Sequence, residues 1–237
     1  VVIAVDSFKG CLSSSDIAKA VAEGIHHVIP GCEVIKVPIA DGGEGTVEAL
    51  TQATHGQVIT IPVHNPFMQP IQASYGITGD GQTAVIEMSA ASGLDLIPRK
   101  EGNVMHTTTY GTGELIADAI DRGCRNFIIG VGGSATNDAG VGMMQALGVR
   151  FTDDNGNEVE KGGKVLSAIC HIDTRSQLPE LSACTFHIAT DVTNPFFGPQ
   201  GAAHIFGPQK GGNEMQVEAL DKGMKHIAEL ILETNVR

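Results

Sequence analysis

The beginning of the chain alternates twice between an apolar run and an amphipathic stretch, and this alternation restricts the fold more than any other feature. Val1–Val5 and Val34–Ile39 are apolar runs of strand length. Between them, apolar residues recur at helical spacing at Ile17, Val21, Ile25 and Val28. A second helical stretch, Val47–Ala53, follows the second run. The order strand–helix–strand–helix predicts an α/β fold with parallel strands.

The middle of the chain predicts a different arrangement. Three apolar runs separated by Pro and Gly predict an antiparallel meander: Val58–Val63, Ile71–Ile77 and Thr83–Met88. The later residues return to alternating elements, with helices predicted over Tyr110–Arg122, Asn137–Leu147 and Met215–Leu232. Buried strands are predicted at Asn126–Val131 and Phe186–Ala189. A domain boundary is predicted near Asn65-Pro66.

Composition excludes several classes of function. The chain has 15 basic and 27 acidic residues, a net charge of −12, which argues against nucleic acid and anionic membranes as partners. No apolar run is long enough for a membrane-spanning helix, and the first residues lack the basic region of a signal peptide. The five cysteines form no C-x-x-C pair, which is typical of the reducing cytoplasm and indicates no zinc site. We therefore expect a cytoplasmic protein.

Three acidic residues follow predicted strands. Asp6, Asp41 and Asp191 each come directly or almost directly after an apolar run. Ligands of α/β proteins bind beyond the carboxyl ends of parallel strands, where these side chains are expected. Carboxylates at this edge can hold magnesium or accept a proton from a hydroxyl group. Asp also commonly caps turns and helices, so each residue alone has a structural explanation.

A glycine-rich segment, Gly130–Asp138, follows one predicted strand and opens a predicted helix. Backbone N–H groups at such a turn can surround a phosphate or a carboxylate. The candidate anion-binding residues are Gly132, Gly133, Ser134, Thr136 and Asn137. The same segment matches the dinucleotide pattern G-x-G-x-x-A, with Asp153 and Asp154 about 20 residues later, so NAD binding is an alternative.

Two lysines adjoin glycine loops and are candidates for contacting an anionic substrate. They are Lys9, beside Gly10, and Lys210, beside Gly211. The Walker A pattern and the G-x-S-x-G pattern are both absent from the sequence, which excludes a P-loop and disfavours a hydrolase. The residues alone leave phosphoryl transfer, hydride transfer and non-catalytic binding of a sugar phosphate open.

Five segments, taken in order, resemble the type I glycerate kinase family. They are DSFKG (6–10), VPIADGGEGTVEAL (37–50), TTTYGTGELI (107–116), IIGVGGSATNDAGVGMMQALG (128–148) and DVTNPFFGPQGAAHIFGPQKG (191–211). Within them, Val5 precedes the first segment where the family usually has Pro, and Ala139 replaces a usual Gly.

The resemblance implies a function and a fold. It implies ATP-dependent, magnesium-requiring phosphorylation of D-glycerate, most often to 2-phosphoglycerate. The sequence leaves the oligomeric state open, with a homo-oligomer as one outcome. It implies a two-domain α/β fold, a flavodoxin-like parallel-sheet domain with a second, mixed α/β domain inserted. We assign residues 1–64 to the first domain and 65–237 to the inserted one. Family members continue beyond the last helix, so the chain is expected to lack the segment that completes the first domain.

With the resemblance, roles are assigned to individual residues. Asp191 is the candidate base, or a ligand of magnesium-bound water. Asp6, Asp41 and Asp138 are expected to share in binding the metal. Lys9 and the loop at 132–137 are expected to bind anionic groups, with Ser134 as a positioning donor rather than a nucleophile. Contacts to substrate or phosphate are expected from Asn194 and Lys210. A dinucleotide-dependent oxidoreductase and a non-catalytic binding fragment remain the alternatives.

Overall fold

A strand–helix–strand unit opens the fold. The computed structural model describes residues 1–8, 11–39, 43, 45–97 and 103–234. The unit consists of β1 (Val2–Val5), α1 (Ser14–Val28) and β2 (Ile35–Pro38), and the two strands pair in parallel. Ser13 caps α1, because its hydroxyl accepts a hydrogen bond from the Asp16 backbone N–H at 3.1 Å. Ile3 of β1 packs with Ala18 and Ala22 of α1 in a small core.

A five-stranded mixed sheet forms the centre of the molecule. After α2 (Thr46–Ala53), the chain runs through β3 (Gln57–His64), β4 (Pro70–Ile77) and β5 (Thr83–Glu87) as an antiparallel meander. The next elements in chain order are α3 (Ser89–Ser92), α4 (Tyr110–Asp121), β6 (Asn126–Gly130), α5 (Val141–Ala146), β7 (Arg150–Thr152), β8 (His171–Asp173), β9 (Thr185–Ala189), α6 (Ala202–Phe206) and α7 (Glu214–Thr234). The strand order is β3-β4-β5-β6-β9, and β5, β6 and β9 are parallel to one another.

Two larger cores hold these elements together. The first lies between the sheet and α4, and its fully buried members include Tyr75, Leu115 and Phe127. The Tyr75 hydroxyl donates a hydrogen bond to Asp118 Oδ2 at 2.6 Å, and burial together with this bond raises the pKa of Tyr75. The second core lies under α7, where Leu220 packs with residues such as Leu166. Each such apolar side chain contributes about 1.5–3 kcal/mol when fully buried.

The predicted α/β class and the antiparallel meander are confirmed by the strand pairings. The helix predicted over Asn137–Leu147 is wrong at its start, because α5 begins only at Val141. The backbone turns through left-handed conformations at Ala139 (φ 53°) and Gly140 (φ 74°), which no continuous α-helix can contain.

The predicted domain boundary near Asn65-Pro66 falls in the turn between β3 and β4. These strands pair along their whole length, from Gln57↔Ile77 to His64↔Pro70. In the structure β3 therefore belongs to the five-stranded sheet and not with β1 and β2. The division into residues 1–64 and 65–237, with one domain inserted into the other, stays a prediction. In the described part of the chain, no helix is long and apolar enough to cross a membrane.

Candidate active site

The carboxyl ends of three parallel strands meet at one edge of the large sheet. Strands β5, β6 and β9 are neighbours, and they end at Glu87, Gly130 and Ala189. Beyond this edge lies a cavity of about 790 Å³, here named the polar cavity. Its walls include Glu87, Asp95, Gly133, Ser134, Asp191 and Lys210. This is where ligands of open α/β sheets bind.

The glycine-rich segment after β6 forms one wall of the polar cavity, through Gly132, Gly133 and Ser134. Gly133 has a φ of 69°, a left-handed conformation that favours glycine. Backbone hydrogen bonds on both sides of Ser134 fix the segment against the turn after α3. They run from Leu94 N to Gly133 O (2.9 Å) and from Ala135 N to Ser92 O (2.8 Å). These two hydrogen bonds therefore hold the loop against the segment that follows β5.

Lys210 joins this loop to the segment before α7. Its Nζ donates hydrogen bonds to Ser134 Oγ at 2.8 Å and to the Thr136 carbonyl at 2.6 Å. Burial of the ammonium lowers its pKa to about 8, and the nearby Asp138 carboxylate opposes this shift. At neutral pH, Lys210 is therefore largely protonated and places a positive charge behind the loop.

Asp138 is buried and binds protein groups rather than facing the polar cavity. Its carboxylate accepts hydrogen bonds from Thr108 Oγ1, from the backbone N–H and hydroxyl of Thr109, and from the backbone N–H groups of Gly140 and Gly142, at 2.8–3.2 Å. Gly142 must be glycine here, since a Cβ would collide with Thr108 Oγ1 and lie 2.8 Å from Asp138 Oδ2. In this structure Asp138 positions the loop, and its predicted share in metal binding stays a prediction.

A second, smaller cavity, here named the cleft cavity, lies between the first unit and the large sheet. It has a volume of about 480 Å³, and its walls include Ser7, Gly45, Ser74 and Glu87. The preceding residue, Asp6, is half-buried, and its Oδ1 accepts a hydrogen bond from Ser7 N at 2.7 Å. The end of β1 therefore approaches the same region as the end of β5.

The structure brings some of the predicted site residues together and not others. Asp191 is exposed at the end of β9 and lines the polar cavity with the glycine loop. Asn194 is exposed, and its Nδ2 donates a hydrogen bond to the Gln200 carbonyl at 3.1 Å. Lys9 and Asp41 lie outside the described residues. The roles predicted for Lys9 and Asp41, and those predicted for Asp191 and Asn194, stay predictions.

Sequence reasoning missed Glu87. It lines both the polar cavity and the cleft cavity, and its Oε1 accepts a hydrogen bond from Val47 N of α2 at 2.8 Å. The rule that singled out Asp6, Asp41 and Asp191, an acid at the end of a strand, also applies to Glu87. Its strand was predicted within an antiparallel meander, which gave no reason to place Glu87 beside the ends of parallel strands.

A third cavity, here named the apolar cavity, lies behind the glycine loop. It has a volume of about 720 Å³ and is lined mostly by aliphatic, methionine and phenylalanine side chains. Thr136, Asn137 and Asp138 face it rather than the polar cavity. Ser134 and Lys210 line both cavities and so form part of the wall between them. Residues of the glycine-rich segment thus line two cavities.

The dinucleotide alternative does not match this geometry. The fingerprint needs a glycine turn that opens directly into a helix. Here Ala135 is followed by a loop, and α5 begins only at Val141. Asp153, the candidate ribose ligand, lies in an exposed turn, where its Oδ1 accepts hydrogen bonds from the backbone N–H groups of Asn155 and Asn157.

Fold and site together define an α/β protein with a polar cavity at the carboxyl edge of its mixed sheet. The glycerate kinase family matches residues 1–237. Glycerate 2-kinase of Escherichia coli (strain K12) is 49% identical over 231 residues, covering 98% of this chain and 61% of that protein. Glycerate kinase of Bacillus subtilis (strain 168) is 48% identical over 230 residues, covering 97% of this chain and 60% of that protein.

A solved structure agrees with these sequence matches. The crystal structure of a protein provisionally named glycerate kinase 2, from Salmonella typhimurium LT2, superposes with a TM-score of 0.91 at 46% identity. The match covers 98% of this chain and 62% of that one. The chain belongs to the glycerate kinase family. It spans about 61% of the length of the first curated relative, from Escherichia coli, and 60% of the second, from Bacillus subtilis.

Proposed function

We propose that the full-length protein transfers the γ-phosphoryl group of ATP to D-glycerate in the cytoplasm and forms 2-phosphoglycerate. The observation that carries this proposal is the polar cavity. There, a lysine hydrogen-bonded to the glycine loop lies in one cavity with the carboxylates of Glu87, Asp95 and Asp191. This cavity occurs in a chain that is 49% identical to a glycerate 2-kinase.

Both substrates are anionic, so the site must offset the negative charge of an acidic chain. Lys210 is the basic residue among the described residues that line the polar cavity. Its ammonium and the backbone of Gly132 and Gly133 bind the glycerate carboxylate or the transferred phosphate. Ser134 orients the same group through its hydroxyl, which Lys210 holds in place. Lys9 is assigned to the same anionic groups on sequence grounds.

The attacking hydroxyl of glycerate must lose its proton as the new O–P bond forms and the bond to the ADP leaving group breaks. Asp191 is assigned as the acceptor of that proton. It is exposed at the end of β9, next to the strand that carries the glycine loop. General-base catalysis of this kind contributes about 10²–10⁴ to a rate.

Magnesium fits this site as a companion of the nucleotide. Among the described residues, no three His, Cys, Asp or Glu side chains converge to form a metal cage. Magnesium instead keeps much of its water and binds through one or two carboxylates and the substrate phosphates. Asp41 and Asp6 are retained from the sequence as such carboxylates, and binding magnesium-bound water is the alternative to the role of Asp191 as base. The ion would neutralise charge on the transferred phosphoryl group.

The experiment uses the full-length protein with ATP, magnesium and D-glycerate, and follows ADP release together with the ³¹P NMR spectrum of the product. We expect ADP only when D-glycerate is present, and the signal of a phosphate on the C2 hydroxyl. The Asp191→Asn variant should lower kcat by about 10²–10⁴. The exposed Asp121→Asn, at the end of α4, is the control. Absence of glycerate-dependent ADP would reject the function, and a C3 phosphate would reject the assigned product.

A further inference from the structure

The apolar cavity has walls from two different cores. Ile129 and Leu147 belong to the core between the sheet and α4, whereas Met224 belongs to the core under α7. A volume of about 720 Å³ is within the range of small-molecule sites, about 300–1,000 Å³. The phosphoryl acceptor assigned above, a small polar acid, has no group that would benefit from such a lining. The cavity therefore suits a different chemical group.

The solvent-exposed part of the apolar cavity's lining, here named its mouth, is partly aromatic. Phe186, Ile188, Phe196 and Ser182 line it and are all exposed to solvent. Phe186 stacks on Phe127 of the neighbouring strand, with ring centroids 4.8 Å apart and planes at 19°. One wall of the mouth is therefore a fixed aromatic surface. Flat rings bind well to surfaces of this kind.

The apolar cavity adjoins the polar cavity. Met88, Val131, Ser134 and Lys210 line both, so only this wall separates them. Lys210 places its charge at the junction, hydrogen-bonded to Ser134 Oγ at 2.8 Å. A ligand that spans the wall needs an apolar part on one side and a strongly anionic part near Lys210. Charge and shape together thus select a two-part ligand.

Asn137 supplies a further sign of an absent partner. It lines the apolar cavity and is 7% exposed. Its Nδ2 is buried and has no hydrogen-bond partner among the described residues. Buried side-chain donors are nearly always paired. A rotation of this amide toward the cavity would pair it with a ring nitrogen acceptor of a heterocyclic ligand.

We propose that the apolar cavity binds the purine base of a nucleoside triphosphate, whose phosphates pass the Ser134–Lys210 wall into the polar cavity. This inference rests on the proposed function for the identity of the nucleotide. It adds the location of the base and the direction in which the nucleotide lies. The acceptor then occupies the side of the polar cavity that holds Asp191 and Glu87.

The test compares two tryptophan substitutions at neighbouring exposed residues in the full-length protein. Ser182→Trp places an indole at the mouth of the apolar cavity, whereas Ala183, which does not line it, becomes the matched control Ala183→Trp. Calorimetry measures the Kd of two probes, ADP and inorganic tripolyphosphate. We expect Ser182→Trp to weaken ADP at least tenfold and to leave tripolyphosphate unchanged, because tripolyphosphate has no base. Ala183→Trp should change neither Kd.

A second pair removes a contact instead of blocking the mouth. Phe196 lines the apolar cavity and Phe197 does not, although both are substantially exposed, at 45% and 37%. Phe196→Ala should weaken ADP about tenfold, in the range found for loss of a base–aromatic contact. Phe197→Ala should leave the Kd of ADP within twofold of wild type. Circular dichroism spectra of all four variants check that they are folded.

The outcomes separate this inference from the proposed function. Wild-type protein that does not bind ADP, or lining and control variants with equal Kd values, would overturn the location of the base. An equal loss of tripolyphosphate affinity in Ser182→Trp would also overturn it. Turnover of D-glycerate with unaffected lining variants would leave the function standing and reject the cavity assignment. Selective loss of ADP affinity in the lining variants, without turnover of D-glycerate by the wild type, would support the cavity assignment and reject the function.

Discussion

Lys210 Nζ lies 2.8 Å from Ser134 Oγ, and this hydrogen bond joins two segments that are 76 residues apart in the chain. A second bond, from the same Nζ to the Thr136 carbonyl at 2.6 Å, fixes the ammonium behind the glycine loop. Burial lowers the pKa of Lys210 to about 8, so the charge costs free energy that a bound anion can recover. We therefore expect the loop and the charge to act as one unit.

Ser134→Ala and Lys210→Met should have non-additive effects on kcat/KM. Lys210→Met is expected to lower kcat/KM by about 10²–10³, the range for loss of one group that stabilises transition-state charge. Ser134→Ala should cost less, since Lys210 keeps its bond to Thr136. The double variant should resemble Lys210→Met alone, because the Ser134 hydroxyl is expected to act only through its hydrogen bond with the Lys210 ammonium. Strictly additive losses would show that the two residues act independently.

Binding of ADP should weaken as the pH rises through about 8. The free protein loses the Lys210 charge above that pH, because burial has lowered the pKa of the ammonium from its ordinary value of 10.5 to about 8. Calorimetric titrations from pH 7 to 9.5 measure the Kd, with Lys210→Arg as the comparison, since Arg stays charged throughout. A wild-type Kd that is constant over this range, or that follows Lys210→Arg, would contradict the role of the ammonium.

Asp138→Asn should destabilise the fold by about 2–4 kcal/mol. The carboxylate accepts hydrogen bonds from five protein donors, and an amide at this position would direct N–H groups at some of them. Urea unfolding measures the change in free energy. Asp154→Asn, at an exposed position, is the control and should stay within about 0.5 kcal/mol. A small effect of Asp138→Asn combined with a large loss of magnesium affinity would favour the metal role instead.

Ala139→Gly should stabilise the fold by about 0.5–1 kcal/mol. Ala139 has a φ of 53°, a left-handed conformation that costs an L-residue about 1–2 kcal/mol, partly offset by the extra freedom of glycine in the unfolded chain. The family's usual glycine at this position fits the same conformation. Ala20→Gly, at an exposed position inside α1, should have the opposite sign, about 1 kcal/mol of destabilisation. Thermal unfolding of both variants decides whether the strain is present.

Local sequence patterns were enough to predict the first strand–helix–strand unit and the antiparallel meander. The spacing of Ile17, Val21 and Ile25 predicts α1, and this pattern depends only on near neighbours in sequence, as does the observed cap at Ser13. The convergence of Asp191 and Ser134 was also predictable in outline, because parallel strands bring their carboxyl ends to one edge.

Long-range partners account for what the sequence could not predict. Asp138, beside several glycines, has the features of a ligand-binding acid. In the structure, however, its carboxylate accepts hydrogen bonds from Thr108 and Thr109, which directly precede α4. The left-handed turn at Ala139 and Gly140 follows these contacts, and α5 begins only at Val141. Nothing within the glycine-rich segment shows that its first half lines one cavity and its second half another. That division depends on where α6, α7 and Lys210 pack.

The most direct test of the account is the rate of D-glycerate-dependent ADP formation by the full-length protein, measured for wild type and for Lys210→Met at pH 7.5. Lys222→Met, at an exposed position of α7, is the matched control. We predict turnover by wild type and by the control, and a kcat/KM about 10²–10³ lower for Lys210→Met. No turnover by wild type, or an undiminished rate in Lys210→Met, would contradict the assignment of phosphoryl transfer to this cavity.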